Sequence, residues 1–363
     1  LPTPATLNKA TFSLATLGSP STLALHRHIV PSTSIFDCMI YSFTRDSYTL
    51  SFSLIKEKAM FDLVTVGHFA IDLISSPRLV TSEHALGGPP TYVSLAAKKL
   101  GARVSVISKV GEDFPKEYFT WLNANSVDLS GLTLIKDAFT TRFMLKYKGD
   151  ERQLQLQSQA PPISLKDVSN SLRARIIHVA PITNELSYDV IDKLRTMTDA
   201  LSLDPQGFVR EFDQKGNVHL KRWTDTHVLE LIDLYKSSLN EIKMVTGLAD
   251  LKLAMKKIQN YGARIVVVTK GTEGSTLLFE GTFYEVQACK PRVIRDFTGA
   301  GDAYIGAFLA EFIQEKDPVW CSCVGSAVAS FVIESVGPAV FGETKEIYKR
   351  AARIYEKGLE RLE

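Results

Sequence analysis

The sequence predicts an α/β protein built on a doubly wound, mostly parallel sheet with helices on both faces, and three observations point there. From Met60 onward, short β-branched runs alternate with amphipathic helical stretches. The run Ile265-Val266-Val267-Val268 is apolar at every position, so both its faces need cover, as in a parallel strand between two helical layers. Glycine-rich turns follow the strands, and open sheets of this kind bind ligands beyond the carboxyl ends of their strands.

The pattern predicts strands at Leu63–Val66, Val104–Lys109, Ile176–Val179, Ala200–Leu203 and Ile265–Thr269. It predicts helices at Thr91–Leu100, Lys116–Ala124, Tyr188–Thr198, Val228–Tyr235, Leu251–Tyr261 and Ala303–Glu315. Two segments break this rhythm. Around 75–85 and 140–157 polar and apolar residues alternate, with Lys148-Gly149-Asp150 as a turn, so half-exposed strands that need a cover are expected there.

With 363 residues, 45% of them hydrophobic, the chain holds one large domain with an appended element. A net charge of +2 gives no basic stripe for nucleic acid, and no apolar run is long enough to span a bilayer, so small-molecule work fits best. The four cysteines, Cys38, Cys289, Cys321 and Cys323, make no zinc-type spacing. Free buried thiols in a reducing compartment, the cytoplasm, are expected.

Residues 1–59 differ from the rest. They are rich in Ser and Thr, have Asp37 as their first carboxylate, and show no clean period. A transit-type peptide and upstream sequence ahead of a start at Met60 both fit that composition. Leu1, the scarcity of arginine and the position of Met60 before the first strand favour the second, a disordered or non-native extension ahead of a 60–363 domain.

The most informative stretch runs from Arg295 to Phe308. Gly299, Ala300 and Gly301 are small, so their backbone N–H groups can approach an anion where a helix begins, and Asp302 adds a carboxylate in the first turn. An N-terminal capping role for Asp302 is the simpler alternative. The full string Asp296-x-Thr298-Gly299-Ala300-Gly301-Asp302, with Gly306 and Phe308 beyond, resembles the signature of the ribokinase-like (PfkB) carbohydrate kinases.

That resemblance extends from Met60 to the end and implies a ribokinase-like fold, a small β-sheet lid over the sugar, and transfer of a phosphoryl group from ATP with Mg²⁺. It implies that Asp302 is the general base and that Gly299, Ala300 and Gly301 hold the transferring group. Val268-Thr269-Lys270-Gly271-Thr272-Glu273-Gly274 resembles the family's nucleotide turn, implying nucleotide contacts at Thr269, Gly271 and Gly274, with Thr298 beside them. Ser326, on a helix resembling the one that borders the adenine, is an expected edge contact. Glu241 stands at the family's magnesium-organising glutamate and would act through water, although Ser238 replaces the usual asparagine.

For the acceptor, Asp72 follows the first strand where the family binds vicinal hydroxyls. Gly87-Gly88-Pro89-Pro90-Thr91-Tyr92 resembles the first family signature with Tyr92 in the asparagine position, which argues against a simple ribose or fructose substrate. Asp204-Pro205-Gln206-Gly207-Phe208-Val209-Arg210 resembles a string in inositol-kinase-like members, so Gln206 and Arg210 are expected to bind a cyclic polyol. A nucleoside is the alternative, its base held by Tyr92, Phe143 and Tyr147. His68 and His178, beside strands, are expected to be structural. A dinucleotide oxidoreductase lacks its G-x-G-x-x-G after the first strand, and a non-catalytic sugar sensor conflicts with retention of Asp302. Lids of this type often pair, so a homodimer is expected.

Overall fold

The computed structural model describes residues 61–75, 83–148, 151–356 and 360–362. The expectation for 1–59, the Gly149-Asp150 turn and the side chain of Tyr147 lie outside them.

Strand β1 (Phe61–Val66) leads into β2 (Ala70–Ser75) and β3 (Glu83–Gly87), and α1 (Pro89–Lys99) returns the chain to β4 (Val104–Gly111). Helix α2 (Lys116–Ala124) and β5 (Asp128–Ile135) precede the hairpin β6 (Thr141–Lys148) and β7 (Glu151–Ser158). Then come β8 (Ala174–Val179), α3 (Tyr188–Arg195), β9 (Thr198–Leu203) and the short hairpin β10 (Arg210–Phe212) and β11 (Val218–Leu220). Strand β12 (Leu234–Ser238), α4 (Leu239–Thr246), α5 (Leu251–Asn260) and β13 (Ile265–Thr269) lead to β14 (Ser275–Phe279) and β15 (Thr282–Val286). Helices α6 (Ala300–Ile313), α7 (Pro318–Val332) and α8 (Thr344–Glu356) and strand β16 (Glu360–Leu362) complete the described chain.

The main sheet of the described residues runs β16-β15-β14-β13-β12-β9-β8-β1-β4-β5, parallel from β13 to β5 and antiparallel beyond. Its two faces carry separate cores. On β13, Ile265 and Val267 join the core under α1, α6 and α7, while Val266 and Val268 join the one under α3, α4 and α5. This is the physical meaning of an uninterrupted apolar strand: each successive side chain enters the opposite layer.

The small sheet is β3-β2-β6-β7: β2 and β3 flank residues 76–82, which lie outside the described residues, and β6 and β7 fall on the 140–157 segment. Ala70, Ile74, Phe143 and Leu145 turn inward, with Leu154, Leu156, Phe212 and Val218 packed against them. The turn between β10 and β11 docks on the β7 edge, where Leu156 N–H donates to Gly216 O at 2.8 Å and Gln155 Nε2 to Lys215 O at 2.5 Å.

Several expectations need correction. Residues 228–235 are not a helix. A short 3₁₀ turn at His227–Leu231 ends where the Asp233 carboxylate accepts the Leu201 N–H at 2.8 Å, and β12 starts at Leu234. Apolar residues here fit a helical period, but the strand's neighbours decide. Helix α3 ends at Arg195, because β9 needs the chain extended from Thr198. Helix α6 starts three residues earlier than predicted, at Ala300, so the glycine turn is part of its first turn.

Candidate active site

The site is assembled at the carboxyl ends of β9, β12 and β13, the first half of β2 and the amino end of α6. Two cavities meet there. One, of about 250 Å³, lies under the small sheet, with Asp72, Gln206, Arg210, Lys236 and Asp302 on its polar side and Phe143, Leu145 and Leu154 on its apolar side. The other, of about 660 Å³, is mostly apolar and is bordered by Gly271, Gly274, Tyr304, Ser326 and Ile333. Ser238, Thr269 and Gly301 line both.

The α6 turn is shaped by backbone conformation. Gly299 is its N-cap with φ 75°, a left-handed conformation that glycine adopts without steric cost. The first α-helical bond runs from Ala303 N–H to Gly299 O at 2.8 Å. The Gly301 and Asp302 amides precede it and belong to the set that a helix start leaves without intrahelical acceptors. Ala300 departs from expectation: its N–H closes a turn on Phe297 O at 3.3 Å. It borders the apolar cavity instead of adding a third amide to the cradle.

Asp302 is half-buried on the first turn of α6. Burial pushes its carboxyl up to about 7, against the pull of the Lys236 ammonium, while the Asp204 and Glu241 carboxylates add to the rise. Lys236 is a residue that the sequence reading missed. Its Nζ donates to Asp204 Oδ2 at 2.6 Å, and a Cβ on Gly301 would stand 3.0 Å from it. Burial alone would lower its pKa, but the Asp204, Asp302 and Glu241 carboxylates outweigh that and hold it above the usual lysine range. The signal was a lysine in the middle of a buried strand, hidden by the helix expected over 228–235.

Among the expected acceptor residues, Asp72 on β2 is buried at the cavity wall, and Gly87 lies so close to its carboxylate that a Cβ there would overlap it. Gly88 also lines this cavity. Gln206 donates its N–H to Asp204 Oδ1 at 3.2 Å. The Arg210 guanidinium donates to Ile182 O at 3.2 Å and lies 5.8 Å from the Phe143 ring centroid. Tyr92 faces two ways. It is 1% exposed and lines the polar cavity, with most of its ring lying against Gly299.

On the other side, Thr269, Gly271 and Gly274 border the apolar cavity as expected. Thr298 does not: it lines the polar cavity, and its N–H and Oγ1 donate to Asp296 Oδ1 at 3.0 and 2.7 Å. Ser326 borders the apolar cavity, but its hydroxyl donates to Gln287 O at 3.2 Å and accepts the Cys289 N–H at 2.8 Å. It ties the 287–289 segment to α7. Glu241 lines the polar cavity and caps α4, its Oε2 accepting the Ser238 N–H at 2.7 Å while Ser238 Oγ accepts the Glu241 N–H at 3.3 Å.

Among the described residues no three His, Cys, Asp or Glu side chains group into a metal cage. Mg²⁺ instead takes one or two carboxylates with waters and phosphate oxygens, and Glu241 beside the anion cradle fits that donor set. Both histidines are structural. His68 contacts Thr141 Oγ1 at 3.0 Å and Pro161 O at 3.1 Å, and His178 Nδ1 contacts Ser202 Oγ at 2.9 Å. Burial lowers both pKa values, that of His178 to about 3 with the Lys236 charge assisting.

A carboxylate, the free amides of a helix start and a lysine thus meet at the junction of two cavities. The family model described as pfkB family carbohydrate kinase matches residues 60–345, and the chain belongs to that family. It is 29% identical over 287 residues to a cytidine kinase of Thermococcus kodakarensis, covering 77% of this chain and 98% of that protein. A nucleoside kinase of Methanothermobacter thermautotrophicus is 28% identical, over 80% of this chain and 95% of the relative. A solved pyrophosphate-dependent kinase of the ribokinase family, complexed with a pyrophosphate analog and myo-inositol, superposes with a TM-score of 0.68 at 25% identity, covering 79% of this chain and 99% of that one. No helix among the described residues is long and apolar enough to cross a membrane.

Proposed function

We propose that this kinase transfers the γ-phosphoryl group of ATP to a hydroxyl of a cyclic polyol of the inositol type, with Asp302 as general base. The observation that carries the reading is Asp302 itself, on the first turn of α6 beside Gly301, where the two cavities meet. The acceptor hydroxyl, oriented by Asp72 and Arg210, attacks the γ-phosphorus in line as its proton passes to Asp302 Oδ. The bond from phosphorus to the bridging oxygen breaks, and ADP leaves. The Gly301 and Asp302 N–H groups and the Lys236 ammonium stabilise the charge on the transferring group. The apolar cavity past Gly271 and Gly274 suits an adenine base. Glu241 would hold Mg²⁺ through water, and the ion would supply charge neutralisation on the donor phosphates.

The acceptor assignment is supported by the polar set Asp72, Gln206 and Arg210 and by the myo-inositol complex of the structural relative. A nucleoside acceptor is the second reading. The apolar wall of Phe143, Leu145 and Leu154 favours it, since a base needs such a surface. The small sheet closes over the acceptor in either case. Pairing of two lids in a homodimer is part of the proposal, and sedimentation tests it.

The deciding experiment is ADP release across inositols, sugars and nucleosides, with ATP and Mg²⁺, beside Asp302→Asn. Turnover on inositols that falls roughly 10²–10⁴-fold in the variant, with ligand binding retained, is expected. Turnover on nucleosides alone would replace the polyol by the second reading, and equal rates in the variant would remove Asp302 as the base.

A further inference from the structure

Tyr92 is the unusual residue of this site: it lines the polar cavity, and its ring also packs against the turn that opens α6. Its ring lies directly under Gly299: a Cβ on Gly299 would overlap Cγ, Cδ1 and Cε1 of the ring. Behind it stands Phe341, with ring centroids 6.4 Å apart. About two turns along, a Cβ on Gly306 would run into the Val93 backbone, so α1 and α6 touch at a second point where no side chain separates them. The first turn of α1 is fixed in turn at its start, where Thr91 Oγ1 donates to Gly87 O at 2.7 Å and Gly87 abuts the Asp72 carboxylate.

We propose that Tyr92 is a positioning residue for phosphoryl transfer, acting through Gly299. Its ring is a rigid platform that holds the Gly299–Gly301 turn, and so the amides of the anion cradle, at a fixed distance from Asp72 at the other end of the same α1 turn. The proposal rests on the reading that this turn receives the transferring group. A flat aromatic face against a glycine in left-handed conformation fixes the peptide that a smaller side chain would leave free to shift. Displacements on the order of 1 Å near a reacting centre cost up to about 10²-fold in rate.

Steady-state kinetics of Y92L and Y92F test it. Y92L is expected to lose tenfold or more, on the order of 10²-fold, in kcat with acceptor KM nearly unchanged, because orientation is lost and acceptor contacts are not. Y92F, which keeps the platform, restores most of the turnover. A raised acceptor KM at unchanged kcat in Y92L would overturn the proposal in favour of an acceptor contact, and so would equal damage in both variants, which would implicate the hydroxyl. Should Y92L fold poorly, the cycle of Y92L, G299A and the double variant by urea unfolding reads the contact directly: strong non-additivity is expected, and additivity overturns the proposal. Absence of turnover in the unsubstituted protein on every acceptor would instead overturn the kinase reading on which the proposal rests.

Discussion

The Lys236 ammonium and the Asp204 carboxylate form a buried pair at 2.6 Å, with side chains 5% and 2% exposed, and Lys236 lines the polar cavity beside the helix-end turn. A buried pair adds little net stability, but removing one partner leaves an uncompensated charge. Lys236→Met is therefore expected to destabilise the fold by about 3–5 kcal/mol in urea unfolding. Adding Asp204→Asn should recover much of that loss without recovering turnover. Recovery of both would reduce Lys236 to a structural role.

The Asp302 carboxyl titrates near 7 in the folded chain, raised chiefly by burial from an ordinary carboxylate value of 3.8. As a base it must be ionised, so kcat/KM is expected to rise with pH through about 7 and then level. Stability runs the other way. Between the unfolded and folded pKa values the folded state binds more protons than the unfolded state, so this group's contribution falls as pH rises across that window. The Asp302→Asn variant loses that penalty. Its stability relative to the unsubstituted chain should grow from about pH 4 to about pH 7 and stay level above. Thermal melts of both proteins at several pH values check the sign.

The glycine turn after β13 separates two kinds of glycine. Gly274 has φ 89°, and a Cβ there would overlap Val286 O, a backbone atom that cannot move without breaking the β14–β15 register. Gly271, with φ 61°, has nothing within 4 Å of its Cβ position. Gly274→Ala is expected to destroy ATP binding or folding. Gly271→Ala should cost only the left-handed strain, about 1–2 kcal/mol, and leave ATP affinity within about tenfold. Isothermal titration with ATP on both variants distinguishes these outcomes.

What the sequence disclosed followed from locality. The α6 turn was legible because three small residues and a carboxylate sit side by side in the chain, and β13 was legible because its four apolar residues need two covered faces. Lys236 was not, because its meaning depends on Asp204, which is 32 residues away and brought near by the β9–β12 pairing. Tyr92, Thr298 and Ser326 all border the cavities, with contacts that the motifs did not indicate. Motif position says which turn a side chain starts from, but Gly299, Asp296 and the 287–289 backbone decide where each one ends.

Glu241 has two separable tasks, and substitution can part them. Its Oε2 accepts the Ser238 N–H at 2.7 Å in a capping box, so part of its value is structural. Glutamine at 241 keeps an oxygen for that bond but removes the charge. Glu241→Gln is thus expected to unfold within about 1 kcal/mol of the unsubstituted chain, while the Mg²⁺ concentration for half-maximal turnover rises on the order of 10–100-fold, the usual effect of losing an outer-shell carboxylate. Ser238→Ala should do the opposite, losing about 0.5–2 kcal/mol of stability from the cap with little change in the Mg²⁺ requirement. A magnesium titration of turnover run with urea unfolding on the same two variants decides. An unchanged Mg²⁺ requirement in Glu241→Gln would leave Glu241 as a helix cap alone.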